Sequence, residues 1–171
     1  MKIPGLTVPL SGAAGAVATW HTPGMDLVAR AEALARRAHA GQYDKAGLPY
    51  WSHPARVAER VGDDPSAQAA AWLHDVVEDC DVTLEDLLAQ GFPPEVVAAV
   101  GLLTRRPGQP AADYYAGIRT DPLALRVKLA DLADNSDPDR LALLDRQSRE
   151  RLEAKYANAR RELAANRDGP T

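Results

Sequence analysis

The stretch "AAWLHDVVEDC", residues 70 to 80, sets His74, Asp75, Glu78 and Asp79 among Trp72, Leu73, Val76 and Val77. Read as a helix at about 100° per residue, it places His74 in line with Glu78 and Asp75 in line with Asp79. The four ionisable groups then share a sector about 140° wide, and apolar side chains fill the rest. Three carboxylates this close repel one another and are costly to bury. Such a group calls for a cation among them, and a divalent metal is the simplest candidate.

Two further segments offer matching donors. In "RVKLADLADN", residues 126 to 135, Lys128, Asp131 and Asn135 fall on one helical stripe about 60° wide, among Leu129, Leu132 and Ala133. In "SHP", His53 closes a loop just before a helix. Together His53, His74, Asp75 and Asp131 supply two imidazoles and two carboxylates. That mixed set suits a six-coordinate Mn²⁺ or Fe²⁺ with positions left for water, more than a closed structural zinc.

The elements that must carry these residues read as helices separated by turn signals. Asp26 precedes a helix with Leu27, Ala31, Leu34 and Ala38 on one face. "GQYDKAGLPYWSHP", residues 41 to 54, is a loop, and Pro54 suits the first turn of a helix running to about Val61. Asp64-Pro65 starts the helix that holds the opening stretch. Thr83 starts a short one that stops at Gly91, and Glu95 to Thr104 forms another before "RRPGQP" interrupts. "AADYYAGIR" is a brief helix, Asp121-Pro122 opens a longer one, and Leu152, Tyr156, Ala159 and Leu163 mark a last one. No segment alternates like a strand. The expectation is an all-α fold with the metal between helices. Residues 1–24 are expected to be an irregular lead-in and 25–167 a single domain.

Composition narrows the functional classes. The 171 residues carry 46% hydrophobic and 26% charged residues, ordinary for a globular chain able to form its own core. A net charge of −4 argues against a nucleic-acid polymer as partner, since such binders usually show a basic face. A small anionic substrate needs only a few local cations. The lone Cys80 excludes an intrachain disulfide and fits a reducing cytoplasm. No apolar run is long enough to span a membrane. Pro4, Gly5, Pro9 and Gly12 interrupt the apolar core that a signal peptide needs. His21 in that lead-in is expected to be solvated, His39 to hydrogen-bond inside the fold, and Cys80 to be structural.

The order H…HD…D resembles the signature of the HD-domain metal-dependent phosphohydrolases. "AHAGQYDKAGLPYWSHPARVAERV", "AAWLHDVVEDCDVTLEDL", "GLLTR" and "VKLADLADN" occur in the order found in Rel/SpoT-type alarmone hydrolase domains and small stand-alone alarmone hydrolases. The resemblance covers residues 30 to about 140. It implies an all-helical HD fold and hydrolysis of the 3′-pyrophosphate of guanosine tetra- or pentaphosphate. The cofactor implied is one divalent ion, Mn²⁺ foremost, with Fe²⁺ or Zn²⁺ as alternatives. It also implies that His53, His74, Asp75 and Asp131 are metal ligands, and that Glu78 and Asp79 position and activate the attacking water. Lys45 and Tyr50 fall in the family's nucleotide-binding loop, and Asn135 matches a nucleotide-contacting asparagine. Lys128 could neutralise Asp131 or Asp134, or touch a phosphate. This chain departs from the pattern at Asp44, where the loop usually carries an arginine, and at "SDPDR" after Asn135. The departures bear on base recognition. They keep open the same chemistry on a nucleoside monophosphate or a phosphorylated dinucleotide, and a non-catalytic nucleotide sensor.

Overall fold

Helix α3 (Pro65–Leu73) owes its place at the centre to its alanines. Ala67, Ala69, Ala70 and Ala71 are all completely buried, and side chains this short let neighbouring helices come close. The computed structural model describes residues 26–44 and 47–165. Among them ten helices and no strand occur, with one isolated antiparallel bridge, Tyr43 to Pro49, closing the loop before α2.

The start signals act where the sequence puts them. Asp26 accepts from the Ala29 amide at 2.7 Å to begin α1 (Leu27–Ala38). Asp64 accepts from the Ser66 amide at 2.9 Å and Pro65 opens α3. Thr83 and Asp86 form a reciprocal capping box on α5 (Leu84–Ala89), and Gly91, at φ 77°, makes the left-handed turn that follows it. Asp121 and Pro122 begin α8 (Pro122–Asn135) in the same way as α3.

Around α3 pack α1, α2 (Ser52–Arg60), α6 (Pro94–Leu103) and α8. Helices α7 (Ala111–Arg119) and α10 (Arg146–Ala164) cover the other side of α8. Buried Leu73, Val57, Val100 and Val127 join these layers in one core. The periodic residues of α10 divide as expected, with Tyr156, Ala159 and Leu163 buried and Leu152 partly so.

Two boundaries differ from the sequence reading. Helix α2 begins at Ser52, so His53 lies in its first turn rather than ending the loop. Pro54 still costs no hydrogen bond there, because first-turn amides have no intrahelical acceptor. The helix expected to run through the opening stretch is two helices, α3 and α4 (Val76–Asp79), with His74 and Asp75 at the junction. His74 Nδ1 bonds the Ala71 carbonyl at 2.6 Å, so a side chain takes an acceptor at the end of α3. A short helix, α9 (Pro138–Ala142), was not foreseen. The lead-in at residues 1–24 lies outside the described residues. No helix among those described is long and apolar enough to cross a membrane.

Candidate metal centre and active site

Three elements bring donor groups close together. The first turn of α2 contributes His53, the α3–α4 junction His74 and Asp75, and the middle of α8 Asp131. His53 Nε2 lies 3.2 Å from Asp131 Oδ1 and 3.7 Å from Asp75 Oδ2. His74 Nε2 lies 3.1 Å from Asp75 Oδ2 and 3.9 Å from Asp131 Oδ1. Ligand atoms about 2.1 Å from a shared ion stand roughly 3.0–3.4 Å apart at octahedral or tetrahedral angles; the His53–Asp131 and His74–Asp75 spacings fall in that range, and the other two are wider.

The ring orientations say the same. His53 Nδ1 is 2.8 Å from Asp134 Oδ2, and His74 Nδ1 is 2.6 Å from the Ala71 carbonyl oxygen. Both partners are acceptors, so each Nδ1 carries the proton and, in the neutral ring, each Nε2 offers a lone pair inward. His74 Nε2 is buried and makes no hydrogen bond among the described residues, despite its short distance to Asp75. With both rings neutral, two imidazole lone pairs beside two carboxylates favour a positive charge between them. A divalent cation fits that set of nitrogen and oxygen donors.

Electrostatics follow from the crowding. Burial works against charge on His53, but hydrogen bonds to Asp131 and Asp134 outweigh it and raise its pKa to about 9. His74 is raised as well, because Asp75 overcomes the same burial penalty. Burial opposes the charge on both acids too. His74 nevertheless holds Asp75 well below the usual carboxylate range, and Lys128 with His53 does so for Asp131.

Asp131 is anchored by its own helix. Lys128 Nζ reaches Asp131 Oδ2 at 2.8 Å, and the Asn135 amide donates to Asp131 Oδ1. The stripe read from the sequence is therefore a hydrogen-bonded triad. Sequence reasoning missed the residue behind it. Asp134 is fully buried, accepts from Arg56 at 2.7 and 3.0 Å, and fixes the ring of His53. The available signal was an aspartate one turn from Asp131 on an otherwise apolar face. Its partners come from α2, which only tertiary structure reveals.

Beyond the cluster, Asp75 and Asp79 share a neighbour. The Tyr50 hydroxyl donates to Asp75 Oδ2 at 2.8 Å and stands 3.4 Å from Asp79 Oδ2. Burial and the charge of Asp75 raise the pKa of Asp79. Glu78 turns elsewhere, and its Oε2 accepts from the Arg105 amide at 2.8 Å. His39 is buried and bonds Gln42 at 2.9 Å, with the Cys80 sulfur 3.3 Å away; burial pushes that thiol up to about 11.

A cavity of about 430 Å³ adjoins the cluster, within the usual range for a small-molecule site. Tyr50, His53 and Asn135 line it, together with Leu141, Leu152 and Tyr156. Lys45, expected to bind nucleotide, lies outside the described residues.

Comparison with known proteins agrees with this architecture. Residues 31–107, which contain His53, His74 and Asp75, match the HD domain. This segment of the chain is thus similar to the HD domain. The HD domain here is 44% identical over 68 residues to the guanosine-3′,5′-bis(diphosphate) 3′-pyrophosphohydrolase of Vibrio cholerae, covering 38% of this chain and 10% of that protein. It is 32% identical over 141 residues to a probable GTP pyrophosphokinase of Mycobacterium leprae, covering 75% of this chain and 18% of that one. The chain thus spans less than a fifth of the length of either relative. A solved structure of a metazoan ortholog of SpoT that hydrolyses ppGpp superposes with a TM-score of 0.69 at 23% identity, over 81% of this chain and 86% of that one. The all-α HD fold is therefore shared.

Proposed function

We propose that this HD domain hydrolyses a phosphorylated nucleotide at phosphorus, and that the substrate is guanosine 3′,5′-bis(diphosphate). The observation that carries the reading is the convergence of two buried imidazole nitrogens and two carboxylates beside a nucleotide-sized cavity, with Asp79 one turn from Asp75. The names of the similar proteins support the choice of substrate.

His53, His74, Asp75 and Asp131 would hold one divalent ion, Mn²⁺ in preference to Fe²⁺ or Zn²⁺. When bound, such an ion supplies Lewis acidity to a phosphoryl oxygen and to water. Asp79 accepts the proton of the attacking water, and the Tyr50 hydroxyl fixes its position relative to Asp75. Glu78 secures the loop at Arg105, whose backbone amide it accepts from. The water oxygen bonds to the phosphorus attached to the ribose 3′ oxygen. That P–O bond breaks, the 3′ oxygen leaves and gains a proton, and the products are guanosine 5′-diphosphate and pyrophosphate. Lys128, shared with Asp131, offsets charge developing on the phosphates, and Lys45 is assigned the same task. Asn135 positions the nucleotide from the cavity wall.

The test is a release assay against a panel of guanosine bis(diphosphate), nucleoside monophosphates and a 2′-phosphorylated dinucleotide, with Mn²⁺ supplied. Pyrophosphate from the first, and little phosphate from the others, is expected. Turnover of another member alone would replace the substrate assignment, and turnover of none would overturn the enzymatic reading.

A further inference from the structure

His39 closes α1 and is completely buried, yet its Nε2 makes no hydrogen bond among the described residues. An imidazole buried with one nitrogen unpaired costs stability that an apolar ring of similar size would not. Packing alone therefore does not account for a histidine at this place. Burial holds its pKa below the ordinary histidine value, which keeps the ring neutral at pH 7.

The other nitrogen of the ring starts a chain that ends at Asp79. His39 Nδ1 lies 2.9 Å from Gln42 Oε1, and Gln42 Nε2 reaches the Asp79 carbonyl oxygen at 3.4 Å and the Cys80 sulfur at 3.7 Å. One orientation satisfies both ends: Nδ1 donates to the amide oxygen, and the amide nitrogen donates to the carbonyl. Gly41, at φ 78°, makes the left-handed turn between the two residues, and the Gln42 amide donates to the His39 carbonyl at 3.0 Å. The Gln42 carbonyl in turn accepts from the Tyr50 amide at 2.9 Å, and the His39 ring lies 4.8 Å from the Tyr50 ring. The Tyr50 hydroxyl is the group that bonds Asp75 and stands beside the Asp79 carboxylate. Asp79 is thus held at its main chain by Gln42 and faced at its carboxylate by Tyr50.

The element that carries Asp79 needs such support. Helix α4 is four residues long, and a single turn of that length is not stable by itself. We propose that His39 and Gln42 are positioning residues that fix Asp79 for proton abstraction, through its main-chain carbonyl and through Tyr50. The proposal rests on Asp79 being the base, as in the function proposed above.

The experiment compares the wild type with His39→Phe, Gln42→Met and the double variant, each as the full chain loaded with Mn²⁺. His39→Phe keeps an aromatic ring against Tyr50 and removes the Nδ1 donor. Gln42→Met removes the amide at a half-buried position and keeps the backbone bonds. Each single variant should lower kcat for pyrophosphate release by about 10–100-fold, the scale of a displaced catalytic group, with KM and metal content within about threefold. The double variant should be no slower than the slower single one, since the two residues act as one chain. Hydrogen exchange, followed by mass spectrometry on the peptide containing α4, should quicken about fivefold in every variant, the scale of one lost hydrogen bond. Unchanged exchange, losses of kcat that multiply in the double variant, or loss of metal overturns the proposal. If His39→Phe does not fold, Gln42→Met decides alone by the same two readouts. Quickened exchange in a chain whose wild type releases no pyrophosphate supports the hold on Asp79 and refutes the hydrolytic reading alone. Hydrolysis with kcat unchanged in the variants refutes the positioning role alone.

Discussion

His53 Nδ1 and Asp134 Oδ2 are 2.8 Å apart, though 81 residues separate them in the chain. This contact orients the ring that joins α2 to the candidate metal centre, and Arg56 holds Asp134 in turn at 2.7 Å. Asp134 sits well below the usual carboxylate range, because His53 and Arg56 outweigh the cost of its burial. It keeps the Nδ1 proton in place and makes His53 a stronger donor at Nε2.

Asp134→Asn should therefore weaken metal affinity by about 10–100-fold while the helical fold persists. The check is competition for Mn²⁺ against a fluorescent chelator, alongside circular dichroism. Unchanged affinity would mean that the His53 ring is oriented by its packing alone. Asp134→Ala should in addition cost about 3–5 kcal/mol of stability, since it leaves Arg56 facing a buried site without its partner.

Metal content tests the ligand assignment directly. Purified protein should carry about one divalent ion per chain, as one four-ligand site implies. Asp75→Ala and His74→Ala should each reduce that content sharply by elemental analysis. Undiminished metal in either variant would remove that residue from the ligand set.

Asp79→Asn should retain the metal and lose turnover, with kcat lower by roughly 10²–10⁴ if general-base action is what disappears. Glu78→Gln should have the smaller effect, because Glu78 is engaged by the Arg105 amide rather than by Tyr50. Loss of metal from Asp79→Asn would place that carboxylate in the coordination sphere.

Ala70→Leu should destabilise the protein by about 1–3 kcal/mol, because Ala70 is completely buried on the central helix and has no room for three more carbons. Thermal denaturation reads the effect. A neutral result would mean that the helices around α3 can separate without loss, contrary to the packing described.

How legible this was from the sequence depended on how local each signal is. Helix starts at Asp26, Asp64, Thr83 and Asp121 could be read because the cap and the amides it satisfies are neighbours. His74, Asp75 and Asp131 stood out as polar groups on apolar helices and His53 as a histidine closing a loop, and in the structure both imidazole Nε2 atoms lie 3.1–3.9 Å from oxygens of Asp75 and Asp131. The break between α3 and α4 was not legible, since it accompanies the His74 side chain bonding the Ala71 carbonyl where a continuous helix was the simpler reading. The roles of Asp134 and Arg140 were not legible for a different reason. Each takes its meaning from a partner on another element, Arg56 and Asp44 respectively.

Reconstitution tests whether His53, His74, Asp75 and Asp131 assemble the metal-dependent pyrophosphohydrolase proposed above. Protein stripped with a chelator and dialysed is titrated with Mn²⁺ while pyrophosphate release from guanosine bis(diphosphate) is followed. No release is expected without metal, and a rise that saturates at about one ion per chain is expected for one four-ligand site. Full turnover in the presence of chelator, or none at any Mn²⁺ concentration, would contradict it.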